Sequence, residues 1–326
     1  MKKVLIAILL LGLLPHASAD YIHWVDFRLS APVLRSALEL DMASQGGEQP
    51  LDWIDILALA AAWRGGTGVT VADTQRAAQA LRGDTPPERL PGMAGRFFSY
   101  YRAAYGAALG GLVGHFAIRR TDPQTDEAEW IPAYGLKAFS PIAAGYPWSH
   151  YPDFGAQRSY GYARPHLGND ILGALGTPIC AVEGGTVEAL GWNRYGGWRI
   201  GIRSDDRKRY YYYAHLRKDT PYAEGLAVGQ RVQAGEVIGF MGRTGYSAQE
   251  NVNNIETVHL HFGLQLIFDE SQKECDSEIW IDVYPIIELL ASHCSSVARD
   301  PQTGRWERLY PYCDLDAEPL RSAAAR

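Results

Sequence analysis

Cysteine is scarce in this 326-residue chain: Cys180, Cys275, Cys294 and Cys313 are the full complement, and none belongs to a CxxC pair. That spacing does not resemble a zinc ribbon. A disulfide among the last three is the expectation for an exported chain, whereas Cys180 lies in a strand-like run and reads as a buried thiol. An excess of basic charge is also lacking, with 31 Lys and Arg against 37 Asp and Glu. Nucleic acid is therefore excluded as a partner, because neutralising phosphates needs a basic surface. No apolar run after the first fourteen residues is long enough to span a membrane, and no solenoid-length repeat or low-complexity tract is visible.

The first nineteen residues stand apart. Lys2 and Lys3 precede an apolar run over 4–14, and Ala17-Ser18-Ala19 supplies the small residues that signal peptidase reads. Cleavage after Ala19 removes two lysines and no acid, taking the formal charge from −6 to −8. No cysteine follows the cleavage point, so no lipid anchor is expected there. The chain reads as exported, to the periplasm or to the cell wall and exterior, with no membrane span after signal cleavage.

Residues 20–130 read as a helical domain of unknown function. Helical periodicity covers 32–44, 51–63 and 74–81, and Gly65-Gly66 marks a helix stop. A fourth helix, over about 94–108, carries Phe97, Phe98, Tyr100, Tyr101 and Tyr105; core packing is the preferred reading over a carbohydrate-stacking surface. The polar stretch 120–130 is a hairpin tip or linker.

The texture then changes to short β-like runs at 178–183, 186–191, 198–203, 210–216, 236–241 and 259–267, separated by Gly-rich turns, with Asp205-Asp206 as a hairpin signal. This pattern predicts an antiparallel β-domain over 131–290 and an α+β fold overall. Ile281, Tyr284, Ile287 and Leu290 place a helix after the strands, and 291–326 reads as a polar tail.

Four of the eight histidines after residue 19 occur in contexts that make chemical sense together. His166 and Asp170 are four apart, with Gly168 between them to let them converge. His259-Leu260-His261 puts two imidazoles on one face of a strand, while Leu260 and Phe262 face the other way. His215 ends the run Tyr210 to Ala214, and strand alternation would put Tyr211, Tyr213 and His215 on one face as the floor of a cleft.

These elements together resemble the zinc peptidoglycan endopeptidases of the lysostaphin and LytM type, peptidase family M23, whose signatures are His-x-x-x-Asp, Tyr-x-His-Leu and a late His-x-His. Further similar text runs from Gly176-Thr177-Pro178 to Thr186-Val187 and from Val232-Gln233-Ala234-Gly235 to Gly239. The resemblance covers about 135–290 and does not reach the helical region. It implies a duplicated-hybrid-motif-like β-domain, zinc bound by His166, Asp170 and His261, and catalytic roles for His215 and His259. Two imidazoles and a carboxylate leave a fourth tetrahedral position for water. No His-Glu-x-x-His occurs in the sequence, so the glutamate base of a thermolysin-like enzyme is absent, and a neutral His259 or His215 could take the water's proton. The implied activity is hydrolysis of amide bonds in peptidoglycan stem peptides or cross-bridges. The alternatives are a non-catalytic peptidoglycan-binding regulator and a peptidase acting on proteins.

Three features remain open in the sequence. The segment between Gly245 and His259 is longer than this family commonly has, and is either a groove wall or an exposed loop. The aromatic loop 192–198 either lines the groove or packs in the core. Asn169 stands where it could support the metal ligands from behind.

Overall fold

Among the described residues four α-helices precede the first strand, and local sequence sets where each begins and ends. In the computed structural model, which describes residues 22–121, 124–125, 127–159, 163–273 and 277–317, they are α1 (Ala31–Ser44), α2 (Trp53–Arg64), α3 (Val71–Leu81) and α4 (Met93–Leu109). The expected signal segment and Cys275 lie outside these residues. The Asp52 side chain accepts from the Ile54 amide to start α2, and Gly65 at φ 64° ends it in the left-handed conformation that favours glycine. A reciprocal cap between Thr70 and Asp73 starts α3 three residues ahead of the run read from periodicity. α2 is apolar nearly all round and buried along its length. Phe98, Tyr101 and Tyr105 of α4 are buried beside it, and the tilted rings of Tyr101 and Tyr105 lie 5.6 Å apart. The aromatic helix is therefore core.

The strands are β1 (Val113–Thr121), β2 (Ala128–Leu136), β3 (Trp148–Ser149), β4 (Gln157–Ser159), β5 (Ala163–Pro165), β6 (Asn169–Gly173), β7 (Pro178–Cys180), β8 (Gly185–Asn193), β9 (Gly197–Ser204), β10 (Arg209–Ala214), β11 (Arg231–Val232), β12 (Val237–Phe240), β13 (His259–Leu266), β14 (Ile279–Trp280), β15 (Val297–Arg299), β16 (Trp306–Arg308) and β17 (Tyr312–Asp314). The main sheet runs β11-β8-β9-β10-β13-β6-β3, with β14 added beside β13. All its pairings are antiparallel. Ile171, Ile200, Ile202, Tyr211, Tyr213, Leu260, Phe262 and Leu264 are buried from it in one core cluster. β7 and β12 form a separate pair whose Cys180 is fully buried, and burial pushes that thiol up to about 12.

The α5 helix covers only Tyr284–Leu290. Pro285 sits in its first turn, and the Asp282 carboxylate accepts from the Tyr284 amide, so Ile281 stays ahead of the helix. The β1–β2 hairpin, Val113 opposite Leu136, spans the polar stretch and the position expected for a domain boundary. The described part of the C-terminal stretch, 291–317, contains three short strands, and β17 pairs with β1. Arg209 joins the helices to the sheet: fully buried, it is bidentate to Glu183 and donates from Nη1 to the Ala107 carbonyl at 2.7 Å, near the end of α4. Among the described residues no helix is long and apolar enough to cross a membrane.

Candidate metal and catalytic site

Strand register assembles the site. β6 and β13 pair so that Asp170 lies opposite His261, and β13 and β10 pair so that His261 lies opposite Ala214. Directly opposite residues share a face, so Asp170, His259, His261 and Tyr212 point the same way.

The structure corrects the expected floor. Tyr211 and Tyr213 lie on the buried face, where their rings pack on Phe262 at 6.2 and 5.2 Å. Tyr211 donates to Glu183 there, and Tyr213 accepts from the Val182 amide. His215 escapes the alternation because its φ is 61°, a conformation rare in residues other than glycine, which ends the strand and turns the imidazole toward the Tyr212 side. Its amide is held by the Gly196 carbonyl at 2.7 Å.

His166 arrives from another direction. The β4–β5 hairpin brings the segments on either side of it together, with Gly155 N donating to His166 O and His166 N to Ala156 O. Three atoms then converge: His166 Nε2 lies 3.0 Å from Asp170 Oδ1, His261 Nδ1 lies 3.1 Å from the same oxygen, and the two nitrogens are 2.9 Å apart. Gly168 permits this by its size rather than by flexibility, since a Cβ there would meet the His261 ring at 2.7 and 2.8 Å.

Hydrogen-bond partners decide the tautomers, because a carbonyl oxygen can only accept. His166 Nδ1 faces the Asp153 carbonyl at 3.2 Å and Asp153 Oδ2 at 3.1 Å, so it carries the proton and Nε2 presents its lone pair to the cluster. His215 Nδ1 donates to Thr244 O at 2.9 Å, and His259 Nδ1 donates to Thr257 O at 3.0 Å. Both residues therefore keep Nε2 as an acceptor, that of His259 being 3.7 Å from Asp170 Oδ1. The His215 ring lies 4.8 Å from that of His259 and 5.8 Å from that of His261.

Electrostatics match this geometry. Burial alone would raise the Asp170 carboxyl, but the close contacts of His166 and His261 and the charges of His261 and His259 hold it far below the usual range. Burial, reinforced by the charges of His259 and His261, holds His215 well below the usual imidazole value. The converging atoms are one carboxylate oxygen and two nitrogens, with a lone pair from His166 aimed inward. Such a set repels itself unless a cation sits among it, and the edges of 2.9 to 3.1 Å suit a small ion with N and O ligands at about 2.0–2.2 Å.

The three residues expected as metal ligands are thus together, and the two histidines expected as catalytic stand beside them. Asp153, Arg158, Thr244 and Thr257 were not anticipated. Arg158 Nη2 donates to Asp153 Oδ2 at 2.7 Å and to Asp170 Oδ2 at 3.2 Å. Asn169 does stand behind the cluster: its amide donates to Asp153 Oδ1 and to the Tyr151 carbonyl, and its oxygen accepts from His150 Nδ1 at 2.6 Å.

A groove of about 810 Å³ opens over these residues. One wall is residues 245–258, which contribute Tyr246, Asn254, Ile255, Glu256 and Thr257. The β8–β9 turn contributes Asn193, Tyr195 and Gly196. Trp192 and Trp198 pack on each other behind it, and their indoles donate to Ser247 O and Asn251 Oδ1. The tryptophans therefore brace the wall.

Residues 164–274 match the model for peptidase family M23. The chain carries an M23 peptidase domain. The chain is 40% identical over 130 residues to L-Ala–D-Glu endopeptidase of Bacillus subtilis (strain 168), covering 40% of this chain and 38% of that one. It is 37% identical over 98 residues to lysostaphin of Staphylococcus simulans, covering 30% of this chain and 17% of that one. The chain thus spans less than two fifths of the length of either relative. Among solved structures, the catalytic domain of lysostaphin from Staphylococcus simulans aligns with 44% of this chain and 92% of its own at 29% identity and a TM-score of 0.33. Every histidine of the cluster falls inside the M23 domain, and α1–α4 lie outside it.

Proposed function

We propose that this chain is an exported zinc-dependent endopeptidase that hydrolyses amide bonds in the peptide part of bacterial peptidoglycan. The observation that carries the reading is the convergence of His166 Nε2, His261 Nδ1 and Asp170 Oδ1 within 3.1 Å of one another, inside an M23 domain and at the floor of an open groove. His166, Asp170 and His261 would hold the ion, and a zinc ion there supplies Lewis acidity that polarises a carbonyl and activates water.

The chain's own residues do the rest. His259 and His215, fixed by Thr257 and Thr244 as Nδ1–H tautomers, offer Nε2 to take the proton of the attacking water. Once protonated, an imidazole of this pair steadies the developing oxyanion and feeds the leaving amine. Arg158 and Asp153 hold the outer atoms of Asp170 and His166, so that neither ligand has to reorganise during the reaction. The groove walls select the peptide. One relative is named an L-Ala–D-Glu endopeptidase and another, from Staphylococcus capitis, a glycyl-glycine endopeptidase, so the resemblance leaves the bond to the groove.

Metal content and release of new amino termini from purified peptidoglycan, measured on the mature protein and on His261→Ala, test this reading. Near-stoichiometric zinc and amine release, both lost in the variant, are expected. Absence of zinc would overturn the mechanism, and bound zinc without cleavage of any wall preparation would favour the regulator.

A further inference from the structure

His150, just after β3, is buried behind the metal cluster, with 5% of its side chain exposed. Its ring stacks on Tyr284 of α5 at 4.3 Å and lies T-shaped to Trp148 at 5.1 Å. A buried histidine needs partners for both nitrogens, and here both are present. Nδ1 lies 2.6 Å from Asn169 Oδ1, and Nε2 lies 2.7 Å from Oε1 of Glu288, a partly exposed residue of α5.

The Asn169 amide cannot turn round. Its Nδ2 donates to the Tyr151 carbonyl at 2.9 Å and to Asp153 Oδ1 at 3.3 Å, and a carbonyl can only accept. Oδ1 therefore faces His150 as an acceptor, and His150 Nδ1 carries a proton. The contact between Nε2 and Glu288 has the length of a charge-assisted hydrogen bond, so a proton lies there too. Fixed at both ends, the ring can neither flip nor swing away from Asn169.

Asp153 carries the line forward. Its Oδ2 lies 3.1 Å from His166 Nδ1, and His166 Nε2 points into the cluster. One row of hydrogen bonds thus runs from Glu288 through His150, Asn169 and Asp153 to His166. Arg158 also holds Asp153, at 2.7 Å, and reaches Asp170 at 3.2 Å. The outer end of the row is anchored, because α5 packs on α1 and buries Ile286, Ile287, Leu289 and Leu290. Glu288, His150 and Asp153 all lie outside residues 164–274, which match the M23 model.

We infer that His150, clamped by Glu288, is a positioning residue for the metal cluster: its Nδ1–H orients the Asn169 amide, which aims Asp153 at His166 and keeps the His166 lone pair turned inward. A hydrogen bond to the outer nitrogen of a metal-binding imidazole sets its tautomer and orientation. Here the group that makes that bond is itself set by two more. This rests on the zinc reading above.

The test is the zinc affinity of the full-length mature protein, by competition with a chromophoric chelator, set beside the denaturant midpoint of the metal-free protein. In His150→Gln the side-chain amide follows the bond path to Nε2, so the donor to Asn169 is lost and zinc affinity is expected to fall about three- to tenfold. In His150→Asn the side-chain nitrogen follows the path to Nδ1, restores that donor and keeps affinity within about twofold of the wild type. Glu288→Leu, at the exposed end of the row, lowers affinity in the same direction as His150→Gln. Because the row acts through Asp153, adding His150→Gln to Asp153→Asn weakens zinc binding no further. Unchanged affinity in both His150→Gln and Glu288→Leu overturns the inference and makes the row a polar tie between β3, β6 and α5, visible in the denaturant midpoint alone. A loss in the double variant equal to the product of the two single losses also overturns it, as does a His150→Asn variant as weak as His150→Gln. A wild type that binds no zinc removes the zinc reading and this inference together, whereas one that binds zinc and cuts no wall preparation removes only the hydrolase reading.

Discussion

Asp153 Oδ2 stands 3.1 Å from His166 Nδ1, and this contact turns His166 Nε2 toward Asp170 and His261. A carboxylate accepting from the outer nitrogen of an imidazole fixes its tautomer and ring orientation and raises its basicity as a ligand. Asn169 and Arg158 hold Asp153 in turn. Asp153→Asn keeps the shape and removes the charge. It is expected to weaken zinc binding by about 10–100-fold, measured by competition with a chromophoric chelator, while His150→Gln, two hydrogen bonds farther back, weakens it less. Equal affinity in Asp153→Asn and the wild type would make the contact incidental.

Gly168 offers a steric test of the same cluster. An added methyl would meet the His261 ring at 2.7 and 2.8 Å and the Phe262 carbonyl at 2.7 Å, in a region where neither the backbone nor the strand-borne ring can yield freely. Gly168→Ala is expected to cost about 1–3 kcal/mol of stability and most of the bound metal. The checks are metal analysis and a denaturant midpoint. A variant with full zinc content would mean that β6 shifts to make room.

Helix and strand positions were legible wherever periodicity and punctuation agreed, as in α2 with its Gly65 stop and β13 with its His-x-His alternation. The clustering of His166, Asp170, His259 and His261 was legible because strand alternation pairs His259 with His261 and the motif spacing pairs His166 with Asp170; the role of each came from the resemblance alone. Asp153 was not, because its relation to His166 is made by a chain reversal around the β4–β5 hairpin, and no local pattern over 149–158 reports it. The Tyr211 and Tyr213 face was misread because alternation was carried one residue too far, through the left-handed φ of His215. The strands of the C-terminal stretch are three residues each, and β17 pairs with the distant β1, below what periodicity can detect.

Arg209 and Glu183 couple the helices to the M23 domain. Arg209 is buried and bidentate to Glu183, Tyr211 donates to the same carboxylate at 2.6 Å, and Arg209 Nη1 satisfies the Ala107 carbonyl at the end of α4. Arg209→Met leaves a buried carboxylate without its cation and a helix-end carbonyl without its donor. The expected cost is about 3–5 kcal/mol, read from urea unfolding. In the double variant Arg209→Met, Glu183→Leu a substantial part of that loss should return, since replacing both partners removes the unpaired charge. A loss of under about 1 kcal/mol in the single variant would place the coupling elsewhere.

Lys137, just after β2, ties down the returning C-terminal strand through Asp314 at 3.0 Å and Asp316 at 2.9 Å. Burial alone would lower the Lys137 ammonium, but hydrogen bonds to the two carboxylates raise it above the usual lysine value. Asp316 moves the opposite way: burial would raise it, and the hydrogen bond and charge of Lys137 hold it below the usual carboxylate value. A raised lysine contributes stability that is complete below its unfolded value, ~10.4, and is lost as pH climbs through the folded one. A depressed aspartate contributes stability that is complete above its unfolded value, ~3.9, and is lost as pH falls through the folded one. The difference in unfolding midpoint between wild type and Lys137→Met is therefore expected to be widest and flat between about pH 5 and pH 9, shrinking at both extremes. A difference that stays undiminished at both extremes, below about pH 5 and above about pH 9, would assign the effect of the substitution to packing of the lysine stem rather than to its charge.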